Sequence, residues 1–326
     1  MLISVDLGYG FTKAVKENEE KVIFPSTLAM GGVEMLLEYC DSSIGHRLTV
    51  KKPGEPEASD YYIGDLALKS GRAVQGSLAR DKHLQQNSVL FALTAAYLLG
   101  AEGPVDLALG LPIAYYRTQK DDLKKTFQGV EAQLSVNDGP ERMICFDSIH
   151  VFPQGVGAIY AGGITLPETG LVGVVDVGYH TTDYLLLECD NGSVQPIPAY
   201  AGSIEVGAGT TMQMFGDQFT QKVGIPLNLP NIQGMWKRDR LTVRGKEIDV
   251  AGIKRKAREM SVSAIADGLQ NAWTEKIDFV DQLIFCGGGA LEFAEGLKQY
   301  FPNMHLIPDA QFANAKGFLK MAQTGR

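Results

Sequence analysis

The sequence predicts an α/β protein of two related domains, each a sheet flanked by helices. Three observations lead there. The pattern Val-Asp-x-Gly-Tyr occurs twice, at residues 5–9 and 175–179, each time in a turn between two apolar runs that read as strands. A threonine follows at the same offset in both copies, Thr12 and Thr182, which points to an internal duplication. Each copy opens a three-stranded meander, and strands then alternate with helical patterns. At 326 residues the chain is long enough for two ordinary domains.

Taken in order, Leu2–Leu7, Phe11–Lys16 and 21–24 form the first meander, with turns at Gly8-Tyr9-Gly10 and Glu17-Asn18-Glu19-Glu20. From Ser26 to about His83 the pattern is irregular and polar, broken by Gly31-Gly32, Pro53-Gly54 and Pro56, and reads as an excursion inserted into the first domain. Asn87 is placed to cap a helix whose Val89, Leu90, Leu93, Ala96 and Tyr97 share a face, and Gly100 closes it. A buried strand at 105–111 ends at Pro112, a helix follows over 116–127, and 130–136 with 143–151 form a hairpin about Asp138-Gly139. Gln154 enters a short helix of small residues.

The second meander is 171–177, 183–189 and 193–200. Gly207-Ala208-Gly209 leads into a helix, either as an anion site or as a tightly packed glycine-rich entry. A second irregular excursion, 225–246, precedes a long helix over 250–273. Its basic start, Lys254-Arg255-Lys256 and Arg258, is ordinarily a solvated face. A strand at 282–286 then feeds Gly287-Gly288-Gly289 and a helix, and a short strand at 304–307 precedes the last helix. The domain boundaries expected are 1–164, with an inserted subdomain about 26–83 and completion by 312–326, and 165–311, with an inserted subdomain about 205–278.

Composition excludes several classes. With 45% hydrophobic residues the chain buries a core and is not disordered. A net charge of −8 argues against direct grip on DNA or an anionic membrane, which needs a basic surface. Cys40, Cys145, Cys189 and Cys286 are scattered with no C-x-x-C pair, so they read as small core residues in a reducing cytoplasm. Asp6 interrupts the apolar start, so no secretory signal is expected, and the apolar run near 89–99 is too short to span a bilayer.

The duplicated turns carry the chemistry. A glycine without Cβ lets backbone N–H groups converge on an anion, and Gly8 and Gly178 hold that position. Asp6 and Asp176, just before the turns, are placed to hold a metal ion through water beside the anion. Two such turns imply phosphate loops facing each other across a cleft. Gly287-Gly288-Gly289, at a strand-to-helix junction, lets a ligand lie flat against the backbone.

In this order the motifs resemble those of the actin, heat-shock-chaperone and sugar-kinase superfamily of ATPases, and more closely its ParM-like and archaeal actin-like branch. The resembling pieces are Asp6-x-Gly8 with Lys13, Pro153-Gln154-Gly155-x-Gly157-Ala158, Asp176-x-Gly178 with Thr181-Thr182-Asp183, Ile284 to Ala290, and Phe312-Ala313-Asn314-Ala315-Lys316-Gly317. They span the whole chain. The resemblance implies two actin-like (ribonuclease H-like) α/β domains with mixed five-stranded sheets around a nucleotide cleft, holding Mg²⁺ and ATP, with GTP as the alternative nucleotide. It implies that Asp6 binds water on Mg²⁺, that Lys13 reaches the β/γ-phosphates, and that Gly8, Tyr9 and Gly10 donate N–H groups to phosphate. Gly178 and Thr181 then cradle phosphate, and Gly287, Gly288 and Gly289 lie under the adenosine. Asp176 holds metal-bound water or polarises the attacking water, and Gln154 orients it. ParM carries glutamate at the position of Gln154, and an amide takes no proton at neutral pH, so Asp176 is the better base. His180 receives no role from the resemblance, and no residue of the basic helix start is assigned to adenine.

The function implied is an ATPase that assembles head-to-tail into filaments on binding ATP and segregates or positions DNA. With the motif at 312–317 so near the end of the sequence, no chaperone substrate domain or C-terminal membrane helix is expected. The acidic balance implies that any DNA link runs through a basic adaptor protein. The alternatives are a small-molecule kinase of the same superfamily and a non-polymerising nucleotide-dependent binding protein.

Overall fold

The structure, a computed structural model, describes residues 1–32, 44–70, 74–76 and 86–325. The chain divides into two compact units, Met1–Gly163 with Phe312–Arg326, and Ile164–Gln311.

The first unit contains β1 (Leu2–Leu7), β2 (Phe11–Lys16), β3 (Lys21–Pro25), β4 (Thr27–Met30), β5 (His46–Lys51), β6 (Ser59–Ile63), α1 (Asp65–Ser70), β7 (Gln75–Gly76), α2 (Gln86–Leu98), β8 (Gly103–Leu111), α3 (Ile113–Phe127), β9 (Glu131–Val136), β10 (Arg142–Pro153) and α4 (Val156–Tyr160). The chain's last helix, Ala313–Gln323, also belongs to this unit. The strands form one mixed ten-stranded sheet in the order β3-β2-β1-β8-β10-β9-β5-β6-β4-β7. β1 is buried along its whole length, because β2 and β8 flank it and both its faces are covered. Ile3, Val5 and Leu7 meet the main core, while Leu2 packs with Phe312, Ala315 and Leu319 on the opposite face.

The sheet does not stop at five strands. The segment read as an irregular excursion supplies β4–β7 and α1, and β5 joins β9 in antiparallel register from Leu48 opposite Val136. The sequence hides these strands because β5 buries only Leu48 and Val50, too few alternations to stand out. Residues 33–43, with Cys40, and 71–73 and 77–85 lie outside the described part. Helix α2 is buried from Leu90 through Tyr97 rather than on one face, since Phe91, Ala92 and Ala95 are covered as well. It begins at Gln86, so Asn87 lies within its first turn and donates to Oε1 of Gln75 at 3.1 Å. Gly100 closes it at φ +82°, a backbone angle that favours glycine.

The second unit contains β11 (Thr169–Val177), β12 (Thr182–Asp190), β13 (Ser193–Pro196), β14 (Gly202–Ile204), α5 (Ala208–Val223), α6 (Leu229–Trp236), β15 (Arg240–Val243), β16 (Lys246–Asp249), α7 (Ala251–Trp273), β17 (Val280–Cys286), α8 (Gly288–Tyr300) and β18 (Met304–Leu306). The last helix, Ala313–Gln323, is accordingly α9. Its sheet runs β13-β12-β11-β17-β18, with β14 beside β12. This repeats the pairing of β3-β2-β1-β8-β10: an antiparallel meander whose first strand pairs in parallel with the next. Trp273, fully buried, anchors the core through its indole N–H on the Tyr200 carbonyl at 2.9 Å. The excursion at 225–246 is ordered. Helix α6 and the β15–β16 hairpin share a separate small core with α5 and α7, around Phe215, Phe219, Ile232 and Trp236. Arg244 and Gly245, both at positive φ, make its two-residue turn; an arginine there carries no turn signal.

Candidate functional site

In the first unit the period of two along β1 puts Asp6 on the same face as Leu2, under the last helix. There its side chain is only 5% exposed. Burying a carboxylate is costly unless its oxygens are bonded, and here both are. Lys13, directly opposite Asp6 in the β1–β2 register, places its Nζ 2.8 Å from Oδ2. Gln154 donates its amide from Nε2 to Oδ1 at 3.0 Å. Because an ionised carboxylate only accepts, this bond fixes which way the amide faces. The donor end is held by Asp6, and the carbonyl Oε1 becomes the end that meets a further donor such as water.

Gly8, Tyr9 and Gly10 form the tight turn beside this group. A Cβ at Gly8 would lie 2.6 Å from the Phe11 carbonyl oxygen and 3.2 Å from Lys13 Nζ, so glycine is what the turn requires. The Gly8 N–H closes its own turn on the Asp6 carbonyl at 3.0 Å rather than projecting outward. Two residues assigned no role at the site from the sequence brace the loop. Ser26 donates its hydroxyl to the Gly8 carbonyl at 2.7 Å and its N–H to the Gly10 carbonyl at 3.0 Å, and Thr12 Oγ1 lies 3.0 Å from Ser26 Oγ. The one signal for Ser26 was its place immediately after the third strand of the meander.

β10 delivers Gln154. Between Phe146 and Ile149 it advances three residues while β8 advances two, a bulge that resets which side chains face inward before the strand reaches Pro153. Gly155 follows at φ +80°, and its N–H reaches Asn314 Oδ1 on α9 at 3.0 Å.

In the second unit Asp176 occupies the place of Asp6, near the end of the central strand, and is also buried. Its partner across the ladder is Asp183, where the first unit has Lys13. The duplication thus keeps the carboxylate and inverts the charge opposite it. Asp183 accepts hydrogen bonds from the Ser203 and Thr181 hydroxyls. Gly178 gives its N–H to the Thr181 carbonyl at 2.8 Å, across the turn, whereas Gly8 bonds back to the Asp6 carbonyl.

Gly287 lies against Asp176: at φ +87°, a Cβ there would sit 2.3 Å from Asp176 Oδ1 and 2.4 Å from the Val177 carbonyl oxygen. A Cβ at Gly289 would come within 2.7 Å of Val177. Both glycines therefore let the turn before α8 seat on the end of β11. Gly288 differs, since a Cβ there meets only Gln311, at an ordinary 3.5 Å.

Gly207 and Gly209 brace the turn rather than offering an open anion site. The N–H groups of Ala208 and Gly209 donate to the carbonyls of Gly178 and Tyr179, at 3.1 and 2.6 Å. The Tyr179 ring covers Gly209, its hydroxyl accepts from Gln233 of α6 at 3.0 Å, and burial raises its pKa. His180 packs edge-on against that ring, with centroids 4.9 Å apart. Lys254 turns inward. It donates to the carbonyls of Trp236 and Arg238 at 3.1 and 3.2 Å and pairs with Asp239, so it closes the end of α6. Arg258 lies over the Trp236 ring, 4.8 Å from its centroid, and pairs with Glu292.

Cys189 and Cys286 are buried and Cys145 is half-buried, all three as thiols. Among the described residues no helix is long and apolar enough to cross a membrane, and no three His, Cys, Asp or Glu side chains group as a metal cage.

Two mixed sheets of matching connectivity, each carrying an aspartate and a glycine turn at the end of its central strand, define the actin-like class of fold. The comparisons agree with that class. Residues 4–157 match the family of actin-like proteins, N-terminal domain, and residues 174–299 match the archaeal actin homologue MreB-like family, C-terminal. The chain belongs to the actin-like proteins. It is 24% identical to an archaeal actin homolog of Thermoplasma acidophilum over 99% of both chains. Among solved structures it is similar to a ParM from Clostridium botulinum seen in a 15-stranded filament, with TM-score 0.88, 23% identity and 99% of each chain covered. It is also similar to an archaeal actin homolog in complex with ADP, with TM-score 0.81, 20% identity and 99% of each chain covered.

Proposed function

We propose that this protein is a cytoplasmic ATPase that assembles head-to-tail into filaments when it binds ATP, and that hydrolysis weakens the filament. The observation that carries this reading is the Asp6 group: a buried carboxylate held by Lys13 at 2.8 Å and by Gln154 at 3.0 Å beside a glycine turn. The ADP held by one similar protein and the filament formed by another support it.

The residues fit a magnesium nucleotide. Mg²⁺ keeps several waters and takes substrate phosphates rather than an all-protein cage. Asp6 and Asp176, carboxylates beside the two turns, would accept hydrogen bonds from that water. The ion, when bound, neutralises charge developing on the phosphates. Lys13, with Gly8, Tyr9 and Gly10, would hold phosphate in the first unit, and Gly178 and Thr181 would do so in the second. Gly287, Gly288 and Gly289 would receive the adenosine, with Gly288 the one open to contact. Gln154 Oε1 would orient the attacking water, and Asp176 would polarise it or hold metal-bound water. The nucleotide is ATP, with GTP as the alternative.

The role in the cell that follows is segregation or positioning of DNA. With a net charge of −8, the link to DNA runs through a basic DNA-binding adaptor.

Light scattering and negative-stain microscopy with Mg²⁺ and ATP or GTP, run beside a phosphate-release assay, test the proposal. Scattering that rises above a critical protein concentration, and filaments on the grid, are expected. Protein that stays monomeric at tens of micromolar sinks the assembly reading. A phosphate release that depends on an added sugar or carboxylic acid would instead indicate a kinase. Asp176→Ala is expected to assemble yet turn over far more slowly.

A further inference from the structure

We infer that Asn314, on the last helix, is a positioning residue for Gln154 and through it for turnover. The inference rests on the hydrolysis reading above and adds a residue to it.

Asn314 is 6% exposed, a polar side chain in a helix whose neighbouring buried positions are Ala313, Ala315, Gly317 and Phe318. A buried amide is costly unless bonded, and its Oδ1 accepts the Gly155 N–H at 3.0 Å in a contact spanning 159 residues of sequence. That N–H belongs to the peptide on the C-terminal side of Gln154. The peptide on the N-terminal side is held too, because the Gln154 N–H donates to the Leu111 carbonyl at 2.7 Å. With both flanking peptides pinned, φ and ψ of Gln154 are set, and its side chain is aimed at Asp6 Oδ1. β8 fixes one side and Asn314 the other. Gly155 at φ +80° and ψ −50° turns the chain sharply away at once, so α4 cannot supply the missing restraint by itself.

Asn314 is itself held rigidly. A Cβ at Gly317, one turn along α9, would fall 1.7 Å from the Gly157 carbonyl oxygen, and one at Gly157 would fall 2.7 Å from the Phe318 ring. α4 and α9 therefore touch backbone to backbone, and the Asn314 bond sits at the end of that contact. A helix needs only glycine and alanine for such packing. A buried asparagine there answers a different demand, that of the peptide after Gln154.

A purely structural Asn314 would lower stability and leave the chemistry of folded protein alone. Kinetics separate the two cases. Steady-state phosphate release and titration of a fluorescent ATP analogue are measured for wild type, Asn314→Ala, Asn314→Asp, Gln154→Ala and the Gln154→Ala/Asn314→Ala double variant, each checked for folding by thermal melt. Asn314→Ala is expected to lower kcat about tenfold, the effect of one lost buried hydrogen bond, with nucleotide Kd changed by less than about twofold. Asn314→Asp keeps the acceptor oxygen and is expected to recover most of kcat. Once Gln154 is gone its aim no longer matters, so the double variant is expected to be no slower than Gln154→Ala. Should Asn314→Ala fail to fold, Asn314→Ser takes its place with the same non-additivity expected. Wild-type kcat in folded Asn314→Ala, or losses that multiply in the double variant, overturn the inference alone. Wild-type protein that hydrolyses neither ATP nor GTP overturns the hydrolysis reading and this inference with it.

Discussion

Gln154 and Asp6 are 148 residues apart in sequence, and the amide of one donates to the carboxylate of the other at 3.0 Å. The contact makes the choice of glutamine over glutamate a matter of charge. An amide can donate to a buried carboxylate, whereas a second carboxylate would confront it.

Gln154→Glu therefore places two acids in one enclosed site, and like charges so close cannot both ionise freely. The folded state raises the pKa of the pair above the unfolded value near 4, so it binds a proton more readily than the unfolded chain. Stability is then favoured at low pH and lost as pH rises through the raised value. We expect Gln154→Glu to be less stable than wild type by about 1–3 kcal/mol at pH 7.5, with the gap closing toward pH 5. Denaturant unfolding across that range measures it, and a gap independent of pH would count against the contact.

The Lys13–Asp6 pair should behave as a coupled unit. Removing Lys13 leaves Asp6 enclosed without its cation, so Lys13→Ala is expected to cost about 2–3 kcal/mol. Asp6→Asn removes the stranded charge, and the Lys13→Ala/Asp6→Asn variant should be more stable than the sum of the single effects predicts. Urea unfolding of the four proteins closes the cycle. Strict additivity would mean the pair contributes nothing to the fold.

The glycine triplet separates architecture from binding. Gly287→Ala meets Asp176 and the Val177 carbonyl at a backbone angle hostile to alanine, so a loss of about 2 kcal/mol or more in stability is expected. Gly288→Ala has room in the fold and should melt as wild type does. If adenosine lies on this turn, Gly288→Ala nonetheless weakens nucleotide binding. Equal affinity for wild type and Gly288→Ala would take Gly288 out of the site.

His46 gives the protein a pH sensitivity in the first unit. Burial lowers its pKa below 6.5, and its ring packs edge-on against Phe24 at 5.7 Å. The unfolded chain therefore takes up the proton first, and stability contributed by the neutral ring is lost as pH falls through 6.5. His46→Gln should flatten the acid limb of the stability profile between pH 7 and pH 5. An unchanged slope would assign that limb to other groups.

Both glycine turns, the two meanders and the helices after them follow from the sequence, because periodicity and turn chemistry are local and Val-Asp-x-Gly-Tyr is written twice. The register across the first turn is another matter: a turn of Gly8-Tyr9-Gly10 alone would set Asp6 opposite Thr12, whereas the folded hairpin leaves residues 8–11 outside the β1–β2 pairing and sets Asp6 opposite Lys13. Only the tertiary structure decided the rest. It turned the polar stretch after Ser26 into strands that extend the sheet, because β5 becomes a strand by pairing with β9 and not by its own composition. It took Lys254 from a solvated face and spent it on the carbonyls ending α6. It also brought Gln154 and Asn314 to the first turn, from 148 residues after Asp6 and 159 after Gly155. Contacts between distant segments depend on how strands and helices stack, and no local pattern of residues encodes that.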